Sequence, residues 1–155
     1  MYLEAAKARF QELEQLNKDI YKNRPCSLEE VELLENDLKL KLPDAYREFL
    51  LWCGNRCGFL DSDRYFWSDV KDSHREWFEE AMEEYNLPMT LISLDAIIFF
   101  AAHGGYIYAF IRASEGDNPP VHELRNGQLI WNHADSIEQF CLERIETALR
   151  LAKGR

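Results

Sequence analysis

Two dipeptides in the second half of the chain, Gly104-Gly105 and Asn126-Gly127, separate short runs rich in β-branched and aromatic residues. Glycine reaches positive φ without steric penalty, and an Asn-Gly pair suits a type I′ turn, whose two central residues both need that conformation. Turns this tight join antiparallel neighbours, because a parallel pair needs a crossover of a dozen or more residues. The runs at 91–94, 97–102, 106–112, 121–124 and 129–131 are therefore expected to form an antiparallel meander.

The first half has the other period. Leu3, Ala6, Phe10, Leu13 and Ile20 keep a/d-like spacing, with Leu16 alongside and Asn17 at the remaining seam position, which predicts an amphipathic helix. It spans under three heptads, so docking on its own domain is favoured over a dimer seam, and a monomer or weak homodimer is expected. Ser27-Leu28-Glu29-Glu30 is a capping box that opens a helix with Leu28, Val31, Leu34 and Leu38 inward. Pro43 introduces the next, whose stripe is Tyr46, Phe49, Leu50 and Cys53, with Gly54 placed to end it in the left-handed conformation. A second box, Ser73 to Glu76, predicts a helix that buries Trp77, Phe78, Ala81, Met82 and Tyr85 and stops at Pro88. Asp135 and Ser136 cap a last helix carrying Ile137, Phe140, Cys141, Ile145 and Ala148 inward.

Strands grouped together, rather than alternating with helices, argue for an α+β fold. The expected architecture is a mostly antiparallel mixed sheet of about five to six strands flanked by helices. With 155 residues, 46% of them hydrophobic, one domain suffices, divided into a helical extension at 1–24 and a core at 25–155. The opening MYLEAAKARF has no apolar signal region, and no segment approaches the roughly 20 apolar residues needed to span a bilayer. Four cysteines, Cys26, Cys53, Cys57 and Cys141, are few and unevenly spaced, as reduced thiols in a cytoplasm would be.

The net charge of −10 makes nucleic acid and anionic membranes poor partners. The excess is local. Residues 61–86 hold nine carboxylates, Asp61, Asp63, Asp69, Asp72, Glu76, Glu79, Glu80, Glu83 and Glu84, against three bases, or −6 of the −10. Beside them runs Tyr65-Phe66-Trp67. Charge speeds encounter, whereas affinity comes from a few desolvated anchors, so carboxylates next to aromatics form a candidate protein-binding surface. The same aromatics could equally roof the sheet.

No other constellation assembles a reaction. His74, His103, His122 and His133 lie in no HExxH motif, and no G-x-S-x-G occurs. A zinc site on Cys53-x-x-x-Cys57 would need His122 or His133 to converge on it. Asp61-x-Asp63 opens like a calcium loop, but Tyr65 stands at the next ligand position and Phe66 at the required glycine. Catalytic residues, metals and cofactors are therefore not expected.

The stretch SLEEVELLENDLKLKLPDAYREFLLW, residues 27–52, resembles the opening of the SUKH superfamily, the Smi/Knr-like domain. The matching positions are Glu30, Leu34, Leu40, Leu42, Pro43, Tyr46, Phe49 and Leu50, and the terminal Ser136-Ile137-Glu138-Gln139-Phe140 is similar too. Where the family often has an Asn-Gly-Gly turn, this chain has Gly54-Asn55-Arg56-Cys57-Gly58. The resemblance covers about 27–148 and implies a SUKH-like α+β domain without catalytic residues. Many bacterial members look like immunity proteins that bind and neutralise a toxin domain, frequently a nuclease. Eukaryotic relatives look like regulatory or scaffold proteins. A cognate toxin domain with a basic cleft, covered by the acidic segment, is the partner this implies, and a regulatory or scaffold domain without a toxin is the alternative.

Overall fold

Both glycine turns form as expected: φ is 65° and 95° at Gly104 and Gly105, and 50° and 79° at Asn126 and Gly127. They belong to a computed structural model that describes residues 1–60 and 64–154, with the main chain only at His103. The strands β1 (Ala96–Ala102), β2 (Ile107–Arg112), β3 (Val121–Arg125) and β4 (Gln128–Ala134) make one sheet in the order β1-β2-β3-β4. Every pairing between them is antiparallel. Among the described residues the sheet thus has four strands rather than five to six, and it is not mixed.

The run at 91–94 accounts for the shortfall. Met89–Leu91 is a 3-10 turn, and of the following residues only Ile92 is buried, while Leu91 and Leu94 are 46% and 91% exposed. Its backbone is satisfied locally: Leu91 N–H donates to Pro88 O at 3.0 Å, Ile92 N–H to Met89 O at 2.9 Å and Ala96 N–H to Ser93 O at 3.1 Å. Donors spent within the turn leave little for a strand ladder.

β1 is buried on both faces along its whole length. A register shift between Ile98 and Phe100 inserts Phe99 as an extra residue. Side chains alternate along a strand, so the bulge turns both Phe99 and Phe100 toward the same core. There Phe140 meets them edge-on, with centroids at 5.3 and 5.4 Å. Ile107, Ala109 and Ile111 of β2 share this core with α1 (Glu4–Leu16), α2 (Leu28–Leu38), α3 (Asp44–Cys53) and α6 (Ile137–Lys153). The opposite face, with Ile98, Tyr108, Phe110 and Leu124, holds a smaller core under the acidic helix.

The helix starts at 28 and 137 follow the capping chemistry. Ser27 Oγ accepts from Glu30 N–H at 3.1 Å while Glu30 accepts from Ser27 N–H at 2.9 Å, and Ser136 Oγ accepts from Gln139 N–H at 3.1 Å. α1 has no cap of its own. Glu48 of α3 accepts from Tyr2 and Leu3 N–H at 2.8 and 2.9 Å, and Glu138 of α6 from Ala5 N–H at 2.9 Å. Carboxylates at a helix N-terminus also meet the positive end of its dipole. Burial works against ionisation of Glu48, but the Tyr2 N–H, the N-terminal ammonium, the Leu3 N–H and Lys7 outweigh it and bring its carboxyl down to about 2. With Leu3, Ala6, Phe10 and Leu13 buried, α1 docks on its own domain; it ends at Leu16, leaving Ile20 57% exposed.

Gly54 does not take the left-handed conformation; its φ and ψ are −68° and −21°. Glycine is needed there for space, since a Cβ would stand 2.4 Å from Cys26 Sγ and 2.8 Å from Leu50 O. All four cysteines are free and buried. Among the described residues, no helix is long and apolar enough to cross a membrane.

Candidate binding groove beside the acidic helix

The acidic helix begins earlier than the Ser73 box predicts. A turn at Trp67–Asp69, labelled α4, runs without a break into a π-helical segment at Val70–His74 and then into α5 (Arg75–Glu84), so Ser73 lies inside the helix and caps nothing. The reason is visible in what is buried: Val70, His74, Phe78 and Met82, at four-residue steps. In an α-helix each such step overshoots a full turn by about 40°. The wider π turn removes part of that drift and keeps the stripe on one face.

This segment is fastened to the free edge of β1 at two points. Arg64 and Ala101 exchange both backbone hydrogen bonds at 2.8 Å. Three residues along, His74 Nδ1 lies 2.7 Å from Ile98 O, the carbonyl beside the bulge. A carbonyl only accepts, so Nδ1 carries the proton, and burial lowers the imidazole's pKa and favours the neutral ring. An edge strand closed in this way cannot template pairing with another chain.

Beyond His74, the inward Phe78 meets Tyr108 and Phe110 edge-on at 5.6 and 5.4 Å. The outward residues Glu76, Glu79, Glu80, Glu83 and Glu84 are exposed. Between α5 and the β1–β2 turn lies a groove of about 460 Å³, lined by Trp77, Tyr108 and Arg64, with Ala81, Ala101 and Ala102 among its small residues and Glu80 and Glu84 also lining it. The Tyr108 hydroxyl donates to Trp77 O at 3.4 Å. Burial raises the Tyr108 pKa, and Glu80, Tyr85 and Glu84 raise it further, so the negative field of the helix reaches this hydroxyl. Among the described residues, Glu80 and Glu84 take part in no ion pair.

The other residues singled out from sequence are distributed differently. Asp61 and Asp63 lie outside the described residues. Tyr65 is 5% exposed, and its hydroxyl accepts from Cys57 N–H at 2.8 Å. Phe66 stacks on Tyr65 at 4.7 Å and, like Trp67, packs against the main core. Tyr65-Phe66-Trp67 therefore anchors the segment to the domain. Asp69 stands 3.9 Å from Arg64, Asp72 pairs with Lys71 at 3.0 Å, and Glu79 pairs with Arg75 at 3.0 Å. Sequence reading missed Trp77 and Tyr108 as site residues, because both fall on faces that its periodicity assigns to the interior.

His122 and His133 do not approach Cys53 or Cys57 as a metal set. His122 Nδ1 accepts from Asn132 N–H at 2.9 Å, which places the proton on Nε2, 2.7 Å from Glu115. His133 lies 3.3 Å from the buried Glu123, which Arg125 also contacts at 3.1 Å.

A comparison with curated proteins found no match. The model of the SMI1 / KNR4 family (SUKH-1) matches residues 25–143, from just before α2 into α6, and leaves α1 outside. A match over that much of the chain, together with the α+β architecture, identifies the protein: it belongs to the SMI1 / KNR4 family (SUKH-1).

Proposed function

We propose that this SUKH-1 domain is a cytoplasmic immunity protein that binds a cognate bacterial toxin domain and neutralises it by occlusion, catalysing no reaction. The family supports this reading, and the observation that carries it is the exposed carboxylate face of α5 beside an aromatic-walled groove. Such a face suits a basic surface, of the kind a nuclease offers to nucleic acid. Steering by the field would raise the association rate about 10–10³-fold at low salt.

Charge alone leaves the complex weak. Exposed ion pairs contribute about 0.2–1 kcal/mol each, against about −12 kcal/mol for nanomolar binding. Desolvated anchors must supply much of the rest. Trp77 in the groove, and Phe66 and Trp67 earlier in the same segment, are half-buried and suited to that role, more than Tyr65 and Tyr108, which are 5% and 4% exposed.

The test is to search beside this gene for a toxin domain and to co-express the two. Glu80→Lys with Glu83→Lys, and separately Trp77→Ala, are expected to abolish or sharply weaken protection while circular dichroism stays unchanged. Full protection by both variants sinks the surface assignment. Absence of any neighbouring toxin gene, with capture of a host regulatory protein instead, favours the scaffold reading.

A further inference from the structure

Twice in this molecule a tryptophan and a glutamate hold a cation between them. The Arg112 guanidinium lies 4.9 Å from the Trp131 ring centre while its Nε donates to Glu115 at 2.6 Å. Lys7 Nζ lies 6.0 Å from the Trp52 ring centre and 3.2 Å from Glu48. The groove beside α5 repeats the anionic half of this arrangement. Trp77, Glu80 and Glu84 follow one another at three and four residues along the helix, so they share a face, and Tyr108 stands across from them.

Among the described residues, no cation is paired to Glu80 or Glu84. Arg64 lines the same groove, but its ion pair is with Asp69, at 3.9 Å. A π face attracts a cation, and more strongly where water is partly excluded. A planar guanidinium can stack on an indole and present its N–H fork to carboxylates at once, which an ammonium cannot.

We propose that the groove is the receptor for a single arginine side chain presented by the partner, stacked on Trp77 and paired to Glu80 and Glu84. The inference rests on the reading of α5 as the partner-facing element, and it names what that face selects. About 460 Å³ holds one long side chain with water to spare. Ala81, a small buried residue, lines the same groove and leaves it room. The raised pKa of Tyr108 is consistent with a site whose field disfavours a further negative charge.

The test uses the full chain, ¹⁵N-labelled, titrated at low salt with Nα-acetyl-arginine-N-methylamide. The lysine analogue and the uncharged citrulline analogue serve as comparisons. Saturable shifts are expected at the Trp77 indole N–H and the Gly104 and Gly105 amides, with both analogues binding at least about fivefold more weakly. Glu80→Gln with Glu84→Gln is expected to weaken arginine about tenfold, and Glu79→Gln with Glu83→Gln on the outer surface less than about twofold. All four positions are exposed, so these variants keep the fold. Equal binding of the lysine or citrulline analogue, equal weakening by the outer pair, or shifts centred elsewhere would overturn the assignment. The probe requires no toxin, so loss of the immunity reading in the co-expression assay leaves this result standing, and the reverse also holds.

Discussion

Replacing Glu48 by Gln removes one negative charge from the point where α1 is tied to α3. The carboxylate accepts the Tyr2 and Leu3 N–H groups at 2.8 and 2.9 Å and faces Lys7 at 3.2 Å and the Met1 ammonium at 3.1 Å. Its fall from the ordinary 4.5 to about 2 corresponds, at 1.36 kcal/mol per pKa unit, to about 3 kcal/mol of stability at neutral pH. The Met1 side of the pair is largely exposed, so about 2–3 kcal/mol is the expected loss. A group whose folded pKa is depressed contributes above its unfolded value and stops contributing as pH falls through its folded value. Wild type should therefore lose this increment between about pH 4.5 and pH 2, and the variant should not. Urea melts at pH 7, 5, 4 and 3 measure the gap, and at pH 7 the variant's Tm should fall by roughly 5–10 °C. A gap under about 0.5 kcal/mol at pH 7, or one that stays constant down to pH 3, refutes the reasoning.

Phe140→Ala removes the ring that meets both Phe99 and Phe100, and should cost about 3–5 kcal/mol in a chemical melt. Gly54→Ala forces a Cβ to within 2.4 Å of Cys26 Sγ and 2.8 Å of Leu50 O, and should destabilise by about 1–3 kcal/mol in the same assay. Glu80→Gln with Glu84→Gln removes two of the charges that raise the Tyr108 pKa, so ultraviolet titration should find this phenol ionising at lower pH than in wild type. Burial pushes the Cys26 thiol up to about 12 and raises Cys53 and Cys141 well above their ordinary range, so folded protein at pH 8 should leave these three unlabelled by iodoacetamide until denaturant is added.

Local signals were the legible ones. The Ser27 box and the Ser136 cap are bonds between residues three apart, and the hairpin turns depend on two residues each, so sequence alone determines them. The run at 91–94 was misread because its backbone closes on itself locally, but two other misreadings involve partners distant in the chain. Ser73-x-x-Glu76 has the letters of a cap, but Val70 and His74 are drawn inward by β1 and the helix runs through it. Gly54 is a glycine because of Cys26, 28 positions earlier. The acidic face itself was readable as charge, and Glu76, Glu80, Glu83 and Glu84 are exposed. The groove was not, because it forms between a helix and a turn about 25 residues apart, where Trp77 and Tyr108 look like any interior aromatics.

The outward carboxylates of α5 differ from the rest of the helix in one respect. Glu76, Glu80, Glu83 and Glu84 form no ion pair with the described residues, whereas Phe78, Met82 and His74 hold the segment to the sheet. Folding therefore places almost no demand on which side chains stand there. Substitutions could rewrite that face residue by residue, trading charge for bulk or one sign for the other, and the domain beneath would fold as before.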